Sequence, residues 1–107
     1  MGAASSLTAA RDIRAVYLEG RRARCGGLVV HVLARPGEGA RLALAVPASV
    51  GGAVVRNRIR RRVRAAFVEC RPSGLDVVVK PAGAAAVLPF QQLVDSLKEA
   101  LTRATGR

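Results

Sequence analysis

The chain has 107 residues, half of them apolar, and carries 18 lysines and arginines against 7 acids for a formal charge of +11. That length suits one domain with a modest core, and apolar runs such as Leu28–Leu33 and Leu42–Val46 exclude a disordered chain. No apolar stretch nears the roughly 18 residues of a membrane span, Met1–Ala10 lacks the charged and apolar regions of a secretory signal, and Cys25 and Cys70 are too few and too far apart for a zinc site or a disulfide framework, which implies reduced cysteines and a cytoplasmic chain.

Thr8 to Leu18 carries Ile13 and Tyr17 four residues apart with Val16 beside them, which predicts a short helix stopped at Gly20. Leu28 to Ala34 reads as a strand, Arg35-Pro36-Gly37-Glu38-Gly39 as a hairpin loop, and Arg41 to Val46 as a second strand. Pro47 to Gly52 then feeds a long helix over Ala53 to Cys70, which Arg71-Pro72-Ser73-Gly74 stops. The β-branched run Leu75 to Val79 predicts a buried strand. Pro81 to Ala86 is loop, Pro89 suits a first helical turn, and Phe90, Leu93, Leu97 and Leu101 mark a last helix. The expected fold is α+β, an α-β-β-α-β-α sandwich with helices over a small mixed sheet. It forms one domain with an ordered core over about residues 8–103.

The long helix carries the chemistry. At about 100° per residue, Val55, Ile59, Val63, Ala66 and Cys70 form one apolar stripe with Phe67 at its edge. Arg56, Arg60 and Arg64 form a ridge beside it, Asn57 and Arg61 widen that polar surface, and Arg58 and Arg62 lie on the opposite flank. Ala53 to Arg71 holds seven arginines and only Glu69 as an acid, a local charge of +6. A solvated structural helix would intersperse glutamates for i, i+4 pairing. Here the like charges repel, and phosphates are the partner that would neutralise them, because guanidinium groups fork onto phosphate oxygens and release counterions. Gly51-Gly52 leaves the positive amino end of the helix open to a phosphate or a backbone. No paired carboxylates or histidine dyad point to a catalytic site in the protein itself.

The segment Gly51-Gly52-Ala53-Val54-Val55-Arg56-Asn57-Arg58-Ile59-Arg60-Arg61, with its arginine-rich continuation to Phe67, resembles the signature of the bacterial ribonuclease P protein component. The flanking strands, the glycine-stopped first helix and the leucine-spaced last helix extend the resemblance over roughly Thr8 to Arg103. The resemblance implies a βαβ unit of left-handed crossover around the arginine helix, against the general right-handed preference. It implies that the RNA subunit is the catalyst, cutting precursor tRNA to give the mature 5′ end. The protein would be a monomer within the ribonucleoprotein, binding that RNA through Arg56, Asn57, Arg58, Arg60, Arg61, Arg62 and Arg64. The single-stranded 5′ leader would cross the sheet near Ile13, Tyr17, His31 and Leu44, and Mg2+ would be held mainly by the RNA.

The chain departs from the family pattern at Ala48-Ser49, where basic residues are usual, at Gly52, and at Ile13, where the family commonly has phenylalanine. Stacking on an aromatic is worth roughly 1–3 kcal/mol per base, so these changes thin the leader-binding side. The alternative is a general structured-RNA-binding protein of the ribosomal or assembly kind. A DNA reader is disfavoured because a strand and a glycine loop, not a second helix, precede the basic helix. A membrane-surface helix is disfavoured because the core needs its apolar stripe.

Overall fold

The computed structural model describes residues 4–106; residues 1–3, on which part of the amino-terminal reading falls, lie outside it. In chain order the elements are β1 (Ala4–Ser6), α1 (Ala10–Glu19), β2 (Arg21–Cys25), β3 (Leu28–Ala34), β4 (Ala40–Leu44), a 3-10 turn (Ala48–Val50), α2 (Ala53–Glu69), β5 (Leu75–Pro81), a second 3-10 turn (Gly83–Ala86) and α3 (Phe90–Thr105). The α+β class and the order of its three helices stand as expected, with β1 and β2 added.

The five strands form one mixed sheet in the order β1-β4-β5-β3-β2. β5 pairs in parallel with β4 and antiparallel with β3. The Arg35–Gly39 segment is therefore not a hairpin loop, because β5 inserts between the two strands it joins. Two buried strands gain more by each pairing with the apolar Val77-Val78-Val79 run than by closing on one another. The hairpin lies instead between β2 and β3, where Gly26 and Gly27 adopt φ of 55° and 80°. Two consecutive left-handed residues are what a two-residue turn between twisted strands requires. The expected βαβ unit is β4-α2-β5, its strands parallel neighbours.

Period-two alternation sends side chains to two cores of unequal size. On one face Leu28, Val30, Leu42, Val77 and Val79 pack with Ile59, Val63 and Phe67 of α2 and with Leu93 and Leu97 of α3. On the other, Val78 packs with Leu7 and Val16 under α1, flanked by half-buried Ile13, Leu33 and Ala43. The single short helix α1 leaves part of that second face uncovered.

Asp76 sits on this second face, 5% exposed, and links several elements. Its two oxygens accept from Arg41 Nε at 2.8 Å and Nη2 at 2.7 Å. Arg35 Nε lies 3.4 Å away, and Arg41 reaches on to Asp12 of α1, also at 3.4 Å. The Asp76 hydrogen bond, reinforced by the two carboxylates, holds the Arg41 guanidinium charged and raises its already high pKa.

Gly20 joins α1 to β2 at a point with no room for a side chain. A Cβ there would fall 2.5 Å from the Val16 carbonyl oxygen and 2.6 Å from that of Val32. Both are backbone atoms, so α1 itself would have to move. Gly20→Ala is expected to destabilise the protein by about 1–3 kcal/mol. Urea unfolding measures it, and an unchanged midpoint would contradict the close approach.

Candidate nucleic-acid interface

α2 presents two surfaces, as its sequence predicts. Ile59, Val63, Ala66 and Phe67 are buried, and Val55 and Cys70 pack at the margin of the same core. Burial pushes the Cys70 thiol up to about 11, so it stays protonated at neutral pH. Both cysteines are free.

Asn57, Arg58, Arg61 and Arg64 are exposed, and Arg56 and Arg60 are half-buried on the flank. Arg60 donates to Asn57 Oδ1 at 3.2 Å, tying two residues of the polar surface together one turn apart. Among the described residues the ion pairs are Arg35–Asp76, Arg41–Asp12, Arg41–Asp76 and Arg103–Glu99, so none neutralises an arginine of α2. The Arg56 Nε is buried without a hydrogen-bond partner among the described residues. An orphaned buried donor of this kind costs on the order of 1–3 kcal/mol, which an incoming acceptor would relieve. The amino end of α2 adds to the positive field. Its N-cap is Gly52, with no capping side chain and open space beside it, and no acid stands in the first turn.

Arg62 does not belong to this surface. Its Nε donates to the Ala85 carbonyl at 3.1 Å and its Nη2 donates to the Leu88 carbonyl. These bonds dock the second 3-10 turn and the start of α3 against α2. The resemblance implied an RNA contact for Arg62; here its Nε and Nη2 clamp the loop after β5, which supplies carbonyl acceptors within its reach.

The uncovered part of the sheet forms a cleft of about 840 Å³ beside α1. Tyr17 and His31 meet in it, ring centroids 4.7 Å apart in an edge-to-face arrangement, and the Tyr17 side is 45% exposed. Leu44 is not there: it shares the face of Leu42 and packs toward the main core under α2. Strand alternation puts Ala43 and Ala45 on the α1 face in its place. Ile13 is not a lining residue either, since one turn before Tyr17 it packs into the smaller core.

Arg22, Arg24, Val29 and Lys80 also line the cleft, along with Ser49, and sequence reasoning missed the first four. The register explains them: Arg22 pairs with His31, Arg24 with Val29, and Val29 in turn with Lys80. A two-glycine turn between Cys25 and Leu28 was the available signal, because it fixes the alternation of β2 from that of β3. Among the described residues no carboxylate lines the cleft. Burial first, then the Arg22 and Lys80 charges, lower the pKa of His31, so its imidazole is neutral at physiological pH. Its Nδ1 is buried without a partner among the described residues.

A basic helix with no acid partners, next to a cation-lined cleft holding an aromatic platform, defines an RNA-binding α+β protein. The comparisons with known proteins narrow that class. The family model described as Ribonuclease P matches residues 1–105. The ribonuclease P protein component of Acidothermus cellulolyticus is 40% identical over 101 residues, covering 88% of this chain and 82% of the relative. That of Kocuria rhizophila is 35% identical over 91 residues, 82% of this chain and 80% of the relative. The RNase P protein structure from Thermotoga maritima superposes with a TM-score of 0.80 at 26% identity, covering 92% of this chain and 96% of that one. The Staphylococcus aureus structure gives 0.79 at 25% identity, with 95% and 96% covered. The chain belongs to the ribonuclease P protein family, the RNA-binding protein component of a tRNA-processing endoribonuclease.

Proposed function

We infer that this protein binds the RNA subunit of ribonuclease P through α2 and guides the 5′ leader of precursor tRNA through the Tyr17–His31 cleft, while the RNA subunit carries the active site. The observation that supports this most is the unneutralised arginine surface: Arg56, Asn57, Arg58, Arg60, Arg61 and Arg64 lie along α2 with no ion pair to a carboxylate among the described residues. Phosphates satisfy both the surface charge and the buried Arg56 donor.

In the cleft, Arg22, Arg24 and Lys80 would track the leader's phosphates. The exposed Tyr17 ring would stack one base, and the neutral His31 could accept or donate a single hydrogen bond to another. Of the four residues first expected there, Tyr17 and His31 keep this role, and Ile13 and Leu44 act from the two cores.

The role proposed for Mg2+ is in the RNA. Among the described residues no group of three or more histidine, cysteine, aspartate or glutamate side chains is placed to gather an ion, and RNA phosphates supply the hard oxygen ligands that magnesium prefers. No helix among the described residues is long and apolar enough to cross a membrane, and we place the protein as a monomer in a cytoplasmic ribonucleoprotein.

Reconstitution with ribonuclease P RNA tests the reading. Addition of the protein should raise precursor-tRNA cleavage at low magnesium and tighten substrate binding, with the gain growing as the leader lengthens from none to several nucleotides. Equal activity with and without the protein would sink it.

A further inference from the structure

α3 begins on an exposed apolar ledge. Val87 is 76% and Phe90 40% exposed, with an exposed Pro89 between them. Further along the helix the same stripe, Leu93, Leu97 and Leu101, is buried. Of the chain's three aromatic residues, Phe67 is fully buried and Tyr17 stands in the cleft, which leaves Phe90 as an open ring outside both sites.

The ledge is tied to the basic helix. Arg62 fastens the carbonyls of Ala85 and Leu88 to the flank of α2. Arg58 lies one turn earlier on that flank, exposed and in no ion pair among the described residues. Asp95, the nearest acid along α3, accepts a hydrogen bond from Gln91 at 3.0 Å.

We propose that Val87–Phe90 is a further RNA contact at the edge of the α2 surface, in which Phe90 stacks on an unpaired base of ribonuclease P RNA. The inference rests on the reading that α2 docks on that RNA. A protein partner fits less well, because a ledge of a few residues is far below the roughly 800 Å² per partner of a stable protein interface. A single base needs only one ring face, and the Arg62 bonds to Ala85 and Leu88 set the ledge against the arginine helix, whose guanidinium groups select a phosphate-bearing ligand.

The test is equilibrium binding of the full chain to ribonuclease P RNA across a salt series, with Phe90→Leu and Phe90→Trp compared to wild type. Phe90→Leu keeps an apolar side chain but removes the ring face. It should weaken binding roughly 5- to 100-fold, with the wild-type salt slope and the wild-type Tm. Phe90→Trp should bind at least as tightly as wild type. Unchanged affinity for Phe90→Leu overturns the proposal and leaves α2 docking intact, as does an affinity loss that only tracks a lowered Tm. Failure of the wild-type chain to bind the RNA in a salt-dependent way overturns the α2 reading, and this one with it.

Discussion

Replacing Arg58, Arg61 and Arg64 together by alanine should lower affinity for ribonuclease P RNA by about 10² to 10³-fold near roughly 0.1 M salt, because each neutralised phosphate contributes about 0.9 to the slope of log K against log salt. The slope itself should fall by about 2.7 for the three. All three side chains are exposed and none is ion-paired among the described residues. Alanine is the better helix former, and its introduction removes like-charge repulsion along α2. Thermal stability should therefore hold or rise while binding collapses. Arg62→Ala should do the reverse. Losing the bonds to Ala85 and Leu88 should cost roughly 1–3 kcal/mol of stability, with little change in the salt slope. Salt-titrated binding beside thermal melts separates the two, and an equal loss of slope in both variants would disprove the division of roles.

Asp76→Ala is the change expected to harm the fold most through a polar group. It leaves Arg41 without its two close bonds and Arg35 without its nearest carboxylate. Breaking a fully buried pair costs roughly 3–5 kcal/mol. Arg41 and Arg35 retain contact with water, so a smaller loss of about 2–3 kcal/mol is expected. For a domain of this size that corresponds to a Tm lowered by roughly 10–20 °C. Arg41 also holds Asp12, so protection of α1 amides against hydrogen exchange should fall with it. A melt within 3 °C or so of wild type would show that the cluster contributes little.

The helices and the strands β3 and β5 were legible because each obeys one period over its whole length. Leu28, Val30 and Val32 alternate inward, and the α2 stripe returns every three or four residues. β2 escaped because Arg-Arg-Ala-Arg-Cys offers only Ala23 and Cys25, two small side chains, as its apolar alternation. It is an edge strand with only Ala23 and Cys25 half-buried, and arginines on an edge discourage pairing with other chains. β1 is three residues long and held by pairing with β4 alone. The misplaced hairpin and the misplaced Leu44 share one cause. Alternation tells which residues share a face, but which face meets which helix depends on β5, more than 30 residues downstream of β4. The acceptors of Arg62 were hidden for the same reason, since they come from the loop after β5.

The central place of β5 also bears on when this protein can fold. β3 and β4 are bonded to β5 and not to each other, so as the chain leaves the ribosome their inner edges stay open until residues 75–81 emerge. By then all of α2 has been made. Non-local pairing of this kind slows folding, and an arginine-dense helix without its sheet is a poor helix alone. The nascent chain thus displays its cations before it owns a core, and an RNA that neutralises them at that stage would act on folding as well as on assembly.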